Sequence, residues 1–371
     1  MKTCFLTTSA EFLFPEVDLF SKSLISSSTF HGDIFKVDIE IQSERFKDLY
    51  FNYEIIILDT WMLFLDSQFS SGNFRETHLY ELDFNKAVLN LEKFKKWILE
   101  KINSFDLAKQ FIIYMGAFDY WRIHKNDIGL MNQILNIKNL SFWGPHPRFC
   151  SAMEPIKSYS KIIDYATNKN RYIELRHCID ASYDANPSIL NKQYLISALP
   201  SLAPERIAIF NKLKPLMCEE SKLLYRNSLS LLISYKNHLL EFNASQELSK
   251  INKIQNLKRD LNLNYRKIIL FSKYICSTPT RYRAFVRKYV ECPFGMSILI
   301  APKASWENFI TKNIDFPIIH SNHPGLSLSR KSLTDTYEEK LENLYSASKH
   351  IARNYSYENR LERLNLYLNW K

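Results

Sequence analysis

The richest group of chemically competent side chains lies in residues 286–302, where Arg287, Lys288, Glu291 and Gly295 precede an aliphatic run. Lys288 and Glu291 stand three apart, so a helix would put them on one face. If that helix begins near residues 285–287, its positive end and the adjacent cations Arg287 and Lys288 suit a diphosphate. Glu291, one turn further in, can accept hydrogen bonds from both hydroxyls of a ribose. Gly295 lets the chain leave the helix and turn tightly into a strand. The plain alternative is an exposed ion pair worth a few tenths of a kcal/mol.

Other titratable residues follow predicted strands. Asp119 and His146 each sit just past one, on the side where α/β sheets bind ligands, and Asp59 ends the run Ile55–Asp59. Any of them could take a proton from a hydroxyl, and each also reads as a turn or capping residue. Arg206 follows Pro204 and Glu205, a natural helix start. A cation there opposes the helix dipole, which favours an anion contact. His320 and His323 lack a carboxylate or thiol to complete a metal site, so no metal is expected. The six cysteines have no ligand spacing and read as reduced, buried thiols.

The elements that position these residues alternate along the chain. Strands are expected at 2–7, 33–41, 53–60, 110–115, 140–143, 172–176, 194–198, 296–301 and 318–320. Helices are expected at 85–105, through 204–256, and at 334–352 and 357–369, from apolar residues at helical spacing. Continuous apolar strands interleaved with helices predict parallel sheets covered on both faces. A polar stretch near 180–188 marks the boundary between two Rossmann-like domains, whose strand ends would face a ligand cleft. The domains are placed at 1–182 and 183–352, with a closing helix in 353–371 that would cross back to the first.

The 371 residues are too many for one ordinary core, and 46% hydrophobic content excludes a disordered chain. No repeat, secretory signal or membrane-spanning run is evident, so a cytoplasmic protein is expected. The formal charge is +10, and residues 201–300 hold 17 Lys and Arg against 7 Asp and Glu, which matches the whole surplus. Such a region suits an anionic ligand, an acidic membrane surface or nucleic acid.

Residues 288–295 and the strand after them resemble the donor site of GT-B glycosyltransferases, and most closely the spore-maturation (CgeB-like) branch of the family-4-like group. Three more segments match in order: 177–180, 194–206, and 354–360 with its Glu-Asn-Arg ahead of a leucine-rich helix. The match covers residues 172–371. It implies a nucleotide diphosphate-sugar donor, UDP- or GDP-linked, with Arg206, Arg287 and Lys288 on phosphate and Glu291 on the ribose. Tyr265 and Ser272 would lie near the donor base and diphosphate. The resemblance implies transfer of a sugar to a hydroxyl of a glycan or protein, without a metal or other cofactor. The chain departs from the pattern after its first strand and after residue 198, where glycine-rich loops are common.

Two other functions stay open on the sequence. A glycosyltransferase acting on modified DNA bases would use the basic excess on the phosphate backbone, although that excess is confined to the donor half. A GT-B-like binding protein without catalysis would account for the missing glycines. Peripheral contact with a membrane is compatible with a lipid-linked acceptor.

Overall fold

The computed structural model describes residues 2–7, 15–37, 53–59, 96–97, 99–100, 108–114, 128–144, 168–175, 178–179, 192–200, 204–245, 249–277, 288–301, 318–320 and 329–368. They form two compact units, one within residues 2–175 together with 357–368, the other within 178–356. The protein is α/β, with one wholly parallel sheet in each unit.

The first sheet comprises β1 (Lys2–Thr7), β2 (His31–Lys36), β3 (Ile55–Asp59), β4 (Gln110–Tyr114), β5 (Leu140–Gly144) and β6 (Tyr172–Glu174). Its spatial order is β2-β1-β3-β4-β5-β6, so the winding reverses between β1 and β3. The β3 run of isoleucines is buried on both faces, the pattern of a central parallel strand. Helix α1 (Pro15–Ser26) starts on a proline, whose fixed φ suits a first turn, and buries Val17, Phe20 and Leu24 at spacings of three and four. They pack with Phe5, Ile57, Tyr114 and Trp143 in one cluster. The short α2 (Ile128–Leu135) leads into β5.

The second sheet comprises β7 (Tyr194–Ala198), β8 (Ser272–Cys276), β9 (Ile298–Ala301) and β10 (Ile318–His320), in sequential order with no reversal. Helices cover both faces. On one, Ile275, Leu299 and Ala301 meet Ile268, Ile269, Tyr289, Val290 and Ile351. On the other, Ile196, Tyr274 and Ile298 meet Leu213, Tyr225, Leu333, Tyr337 and Leu344.

The expected helical region at 204–256 is several helices: α3 (Pro204–Leu213), a 3-10 turn Lys214–Leu216, α4 (Glu219–Ser245) and α5 (Ser249–Phe271). Pro215 has no N–H to continue α3, and Met217 is extended. Residues 334–352 likewise divide into α7 (Arg330–Glu339) and α8 (Leu341–Asn354), with Lys340 leaving the helical region at φ −98° and ψ 6°. Ser329 caps α7, accepting from the Ser332 N–H at 3.1 Å. Between them α6 (Lys288–Phe294) crosses from β8 to β9.

The last helix, α9 (Tyr357–Leu368), belongs to the first unit. Leu364 and Leu368 enter its core cluster, Asn365 accepts from Ser27 Oγ at 2.6 Å, and Arg360 donates to the Tyr114 hydroxyl at 3.3 Å. The expected helix at 85–105 lies almost wholly outside the described residues. No described helix is long and apolar enough to cross a membrane.

Candidate functional site

β8 and β9 are parallel neighbours, so the helix between them must run back across the sheet. That places the first residue of α6, Lys288, beside the C-terminal end of β8, the edge where open α/β sheets bind ligands. The electrostatics agree. Burial pushes the thiol of Cys276, the last residue of β8, up to about 12, against the pull of Lys288. Glu291 follows one turn later. Lys288 is 9% exposed and Glu291 7%, low for ionisable side chains. Both act on Cys292, whose thiol is pushed up by burial and then by Glu291, and drawn down by Lys288 and Lys192.

The exit from α6 differs from the expected glycine turn. Ser297 N–H bonds the Cys292 carbonyl at 2.8 Å and Met296 N–H the Pro293 carbonyl at 3.0 Å, the paired bonds of a Schellman cap. The left-handed residue is Met296, at φ 60°, not Gly295. Met296 is buried in the core, so its packing holds a conformation glycine would adopt more readily. Gly295 is needed for a different reason. A β-carbon there would come within 2.5 Å of Ile269 Cγ2, because α6 ends against the end of α5. Gly295→Ala is therefore expected to cost about 1–3 kcal/mol through overpacking, read as a lowered melting temperature. An unchanged melting temperature would show that Ile269 yields freely.

The remaining expected donor residues are less uniform. Tyr265, half-buried on α5, donates its hydroxyl to the Pro200 carbonyl at 3.2 Å, in the loop just past β7 and so at the ligand edge. Ser272 lies at the opposite end of β8 from Lys288, fully buried, with its hydroxyl donated to Ser197 Oγ at 2.8 Å. Ser197 shares a further bond with Ser221 at 2.5 Å. Ser272 thus sits within the protein's own packing, at the N-terminal end of its strand and not at the C-terminal edge. Arg206 falls in the first turn of α3, with its side chain outside the described residues, as are Arg287, Asp119 and His146.

In the first unit, Asp59 and Thr7 end the two strands that flank the reversal of winding, where a doubly wound sheet opens a crevice. Thr7 Oγ1 donates to Asp59 Oδ2 at 3.3 Å, and Asp59 is 1% exposed. Among the described residues no group of three His, Cys, Asp or Glu side chains could hold a metal ion.

One residue of the second unit, at the opposite end of its sheet, was not foreseeable. Lys192, just ahead of β7, gives its ammonium to the carbonyls of Ile269, Ser272 and Gly295 and to Ser297 Oγ. A single lysine before a strand carries no pattern that reveals such a partner set.

Fold and site together define an α/β protein of two parallel-sheet units, with a buried lysine–glutamate helix at a C-terminal strand edge. No family model matches the chain, and no curated protein matches it. Among solved structures it is similar to a glycosyltransferase from Rickettsia africae ESF-5, at 13% identity over 99% of this chain and 98% of that chain, with a TM-score of 0.40.

Proposed function

We propose that this protein is a GT-B type glycosyltransferase that takes a nucleotide diphosphate-sugar, UDP- or GDP-linked, at the strand ends of its second unit. The observation that carries the reading is the burial of Lys288 and Glu291 at the ligand edge of β8. Withdrawing two ionisable groups from water is costly and is seldom the best way to stabilise a core. Set against a donor, both find work. Lys288, with Arg287 and Arg206, neutralises the leaving diphosphate, the main electrostatic demand of the reaction. Glu291 accepts from the ribose hydroxyls.

In the transfer, the acceptor oxygen forms a bond to the anomeric carbon as that carbon's bond to phosphate breaks. The electron pair leaves with the diphosphate, and the acceptor's proton passes to a base. Asp119, His146 and Asp59 are the candidates for that base. The acceptor is a hydroxyl of a glycan or protein, and fixed cations take the place of a metal. A cytoplasmic location fits a nucleotide-sugar donor, and a lipid-linked acceptor would add peripheral membrane contact.

The test is a thermal-shift and calorimetric screen against UDP-, GDP-, CMP-, ADP- and dTDP-sugars. Selective stabilisation by one nucleotide sugar, lost in Lys288→Ala, is the expected result. A folded protein that binds none of them would overturn the reading.

A further inference from the structure

We propose that Lys192 is a positioning residue for α6, setting from the C-terminal end of that helix the pose that Lys288 and Glu291 take at the other. The inference rests on the donor reading for its functional meaning, and on bond geometry for its structural one.

The Lys192 ammonium has three protons and is enclosed by four oxygens: Gly295 O at 2.6 Å, and Ile269 O, Ser272 O and Ser297 Oγ each at 2.9 Å. These belong to four segments that meet at one point: the end of α5, the start of β8, the cap of α6 and the entry to β9. The shortest of the four bonds goes to α6. Gly295, which accepts it, in turn donates its N–H to the Glu291 carbonyl at 2.9 Å. A continuous path of hydrogen bonds therefore leads from Lys192 to the residue placed against the ribose.

Helix α6 needs such support. Its described part has seven residues, about 10 Å of length, and Pro293 removes one of its internal donors. A helix this short does not hold itself, so tertiary bonds decide its orientation. Those at its C-terminal end are the Lys192 bond, the Ser348 Oγ bond to Phe294 O at 3.0 Å and the Tyr337 hydroxyl bond to Met296 O at 2.9 Å. Of the three, only Lys192 also ties in α5 and β8. Together with Ser297 Oγ, which donates to the Ile269 carbonyl at 2.6 Å and the Ser272 carbonyl at 2.8 Å, it satisfies the carbonyl that the end of α5 leaves without a helical partner, and α5 runs into β8 without a loop. Burial draws the pKa of Lys192 down to about 7, with Cys292 opposing. An apolar residue of the same length would fill the space without that cost but could donate to none of the four oxygens.

The test compares Lys192→Met with Ile254→Ala, a core truncation on α5 remote in sequence from the cage, at a temperature where both variants are folded. Hydrogen exchange followed by mass spectrometry reads residues 288–301 against the rest of the second unit, and calorimetry reads affinity for the nucleotide sugar found in the screen. Lys192→Met is expected to speed exchange in 288–301 at least tenfold over its effect elsewhere, and to weaken the nucleotide sugar at least tenfold. Ile254→Ala should do neither selectively. Exchange raised evenly across the unit, or affinity lowered equally by both variants, would reduce Lys192 to a general stabiliser and overturn the proposal. Should Lys192→Met not fold, Lys192→Gln, which keeps a shorter neutral donor, is judged by the same two readouts. If the unaltered protein binds no nucleotide sugar, the donor reading falls, and local exchange alone decides whether Lys192 holds α6.

Discussion

Glu291→Gln is expected to leave the protein folded and to weaken its nucleotide sugar about 30-fold, whereas Glu291→Ala should unfold it much more readily. Glutamine keeps the volume and one acceptor oxygen but gives up the charge. A hydrogen bond to a charged acceptor is worth roughly 2 kcal/mol, which corresponds to a ~30-fold change in affinity. Alanine removes the side chain outright. Lys288, one turn away and only 9% exposed, is then left buried without that side chain nearby. Truncating a buried side chain of this size typically costs about 2–5 kcal/mol. Calorimetric titration measures the first effect and thermal melting the second. Unimpaired binding by Glu291→Gln would remove Glu291 from the ribose contact, whatever the stability of the alanine variant.

The second large effect is expected in the first unit. Tyr114 is fully buried, stacks on Phe20 with centroids 3.7 Å apart and 10° between planes, and meets Phe5 edge-on at 6.4 Å. Its hydroxyl accepts from Arg360 of α9, itself 2% exposed. Tyr114→Ala opens a cavity and is expected to cost about 3–5 kcal/mol. Tyr114→Phe keeps the stack and loses only the hydroxyl's bond to a charged group, for roughly 2 kcal/mol. Denaturant titration with hydrogen exchange of α9 should show α9 loosened in both, and the whole unit destabilised only in Tyr114→Ala. Equal costs in the two variants would mean that the polar bond, not the ring stack, dominates the site.

The strands that could be read from the sequence were those with a strong pattern of their own. Ile55–Asp59, an isoleucine run between Glu54 and Thr60, and Tyr194–Ala198, set between Gln193 and Leu199-Pro200, appear with nearly the expected limits. Ser272–Cys276 was hidden, because α5 runs into it with no turn residue between and the aliphatic run 268–271 fits either period. The carbonyls at that junction are met by Lys192 and Ser297, both far away in sequence. Gly295 was legible as a required glycine, read as the residue that frees the chain to turn. The reason was not, since the close approach of Ile269 depends on how α5 and α6 pack. The left-handed Met296 runs against local preference and is held by burial, which a sequence window does not contain. Asp119, His146 and Arg287 lie outside the described residues.

The first unit draws its core from both Phe5 and Leu368, and that has a consequence during synthesis. Once β6 has been made, the ribosome must add roughly 180 residues before α9 follows, about ten to forty seconds at usual elongation rates. Through that interval the face of Phe5, Ile57, Tyr114 and Trp143 lacks Leu364 and Leu368, while the described elements of the second unit are being made. The nascent chain thus offers a standing apolar surface to chaperones, and a ribosome stalled before residue 357 would release a product with one unit complete and the other open.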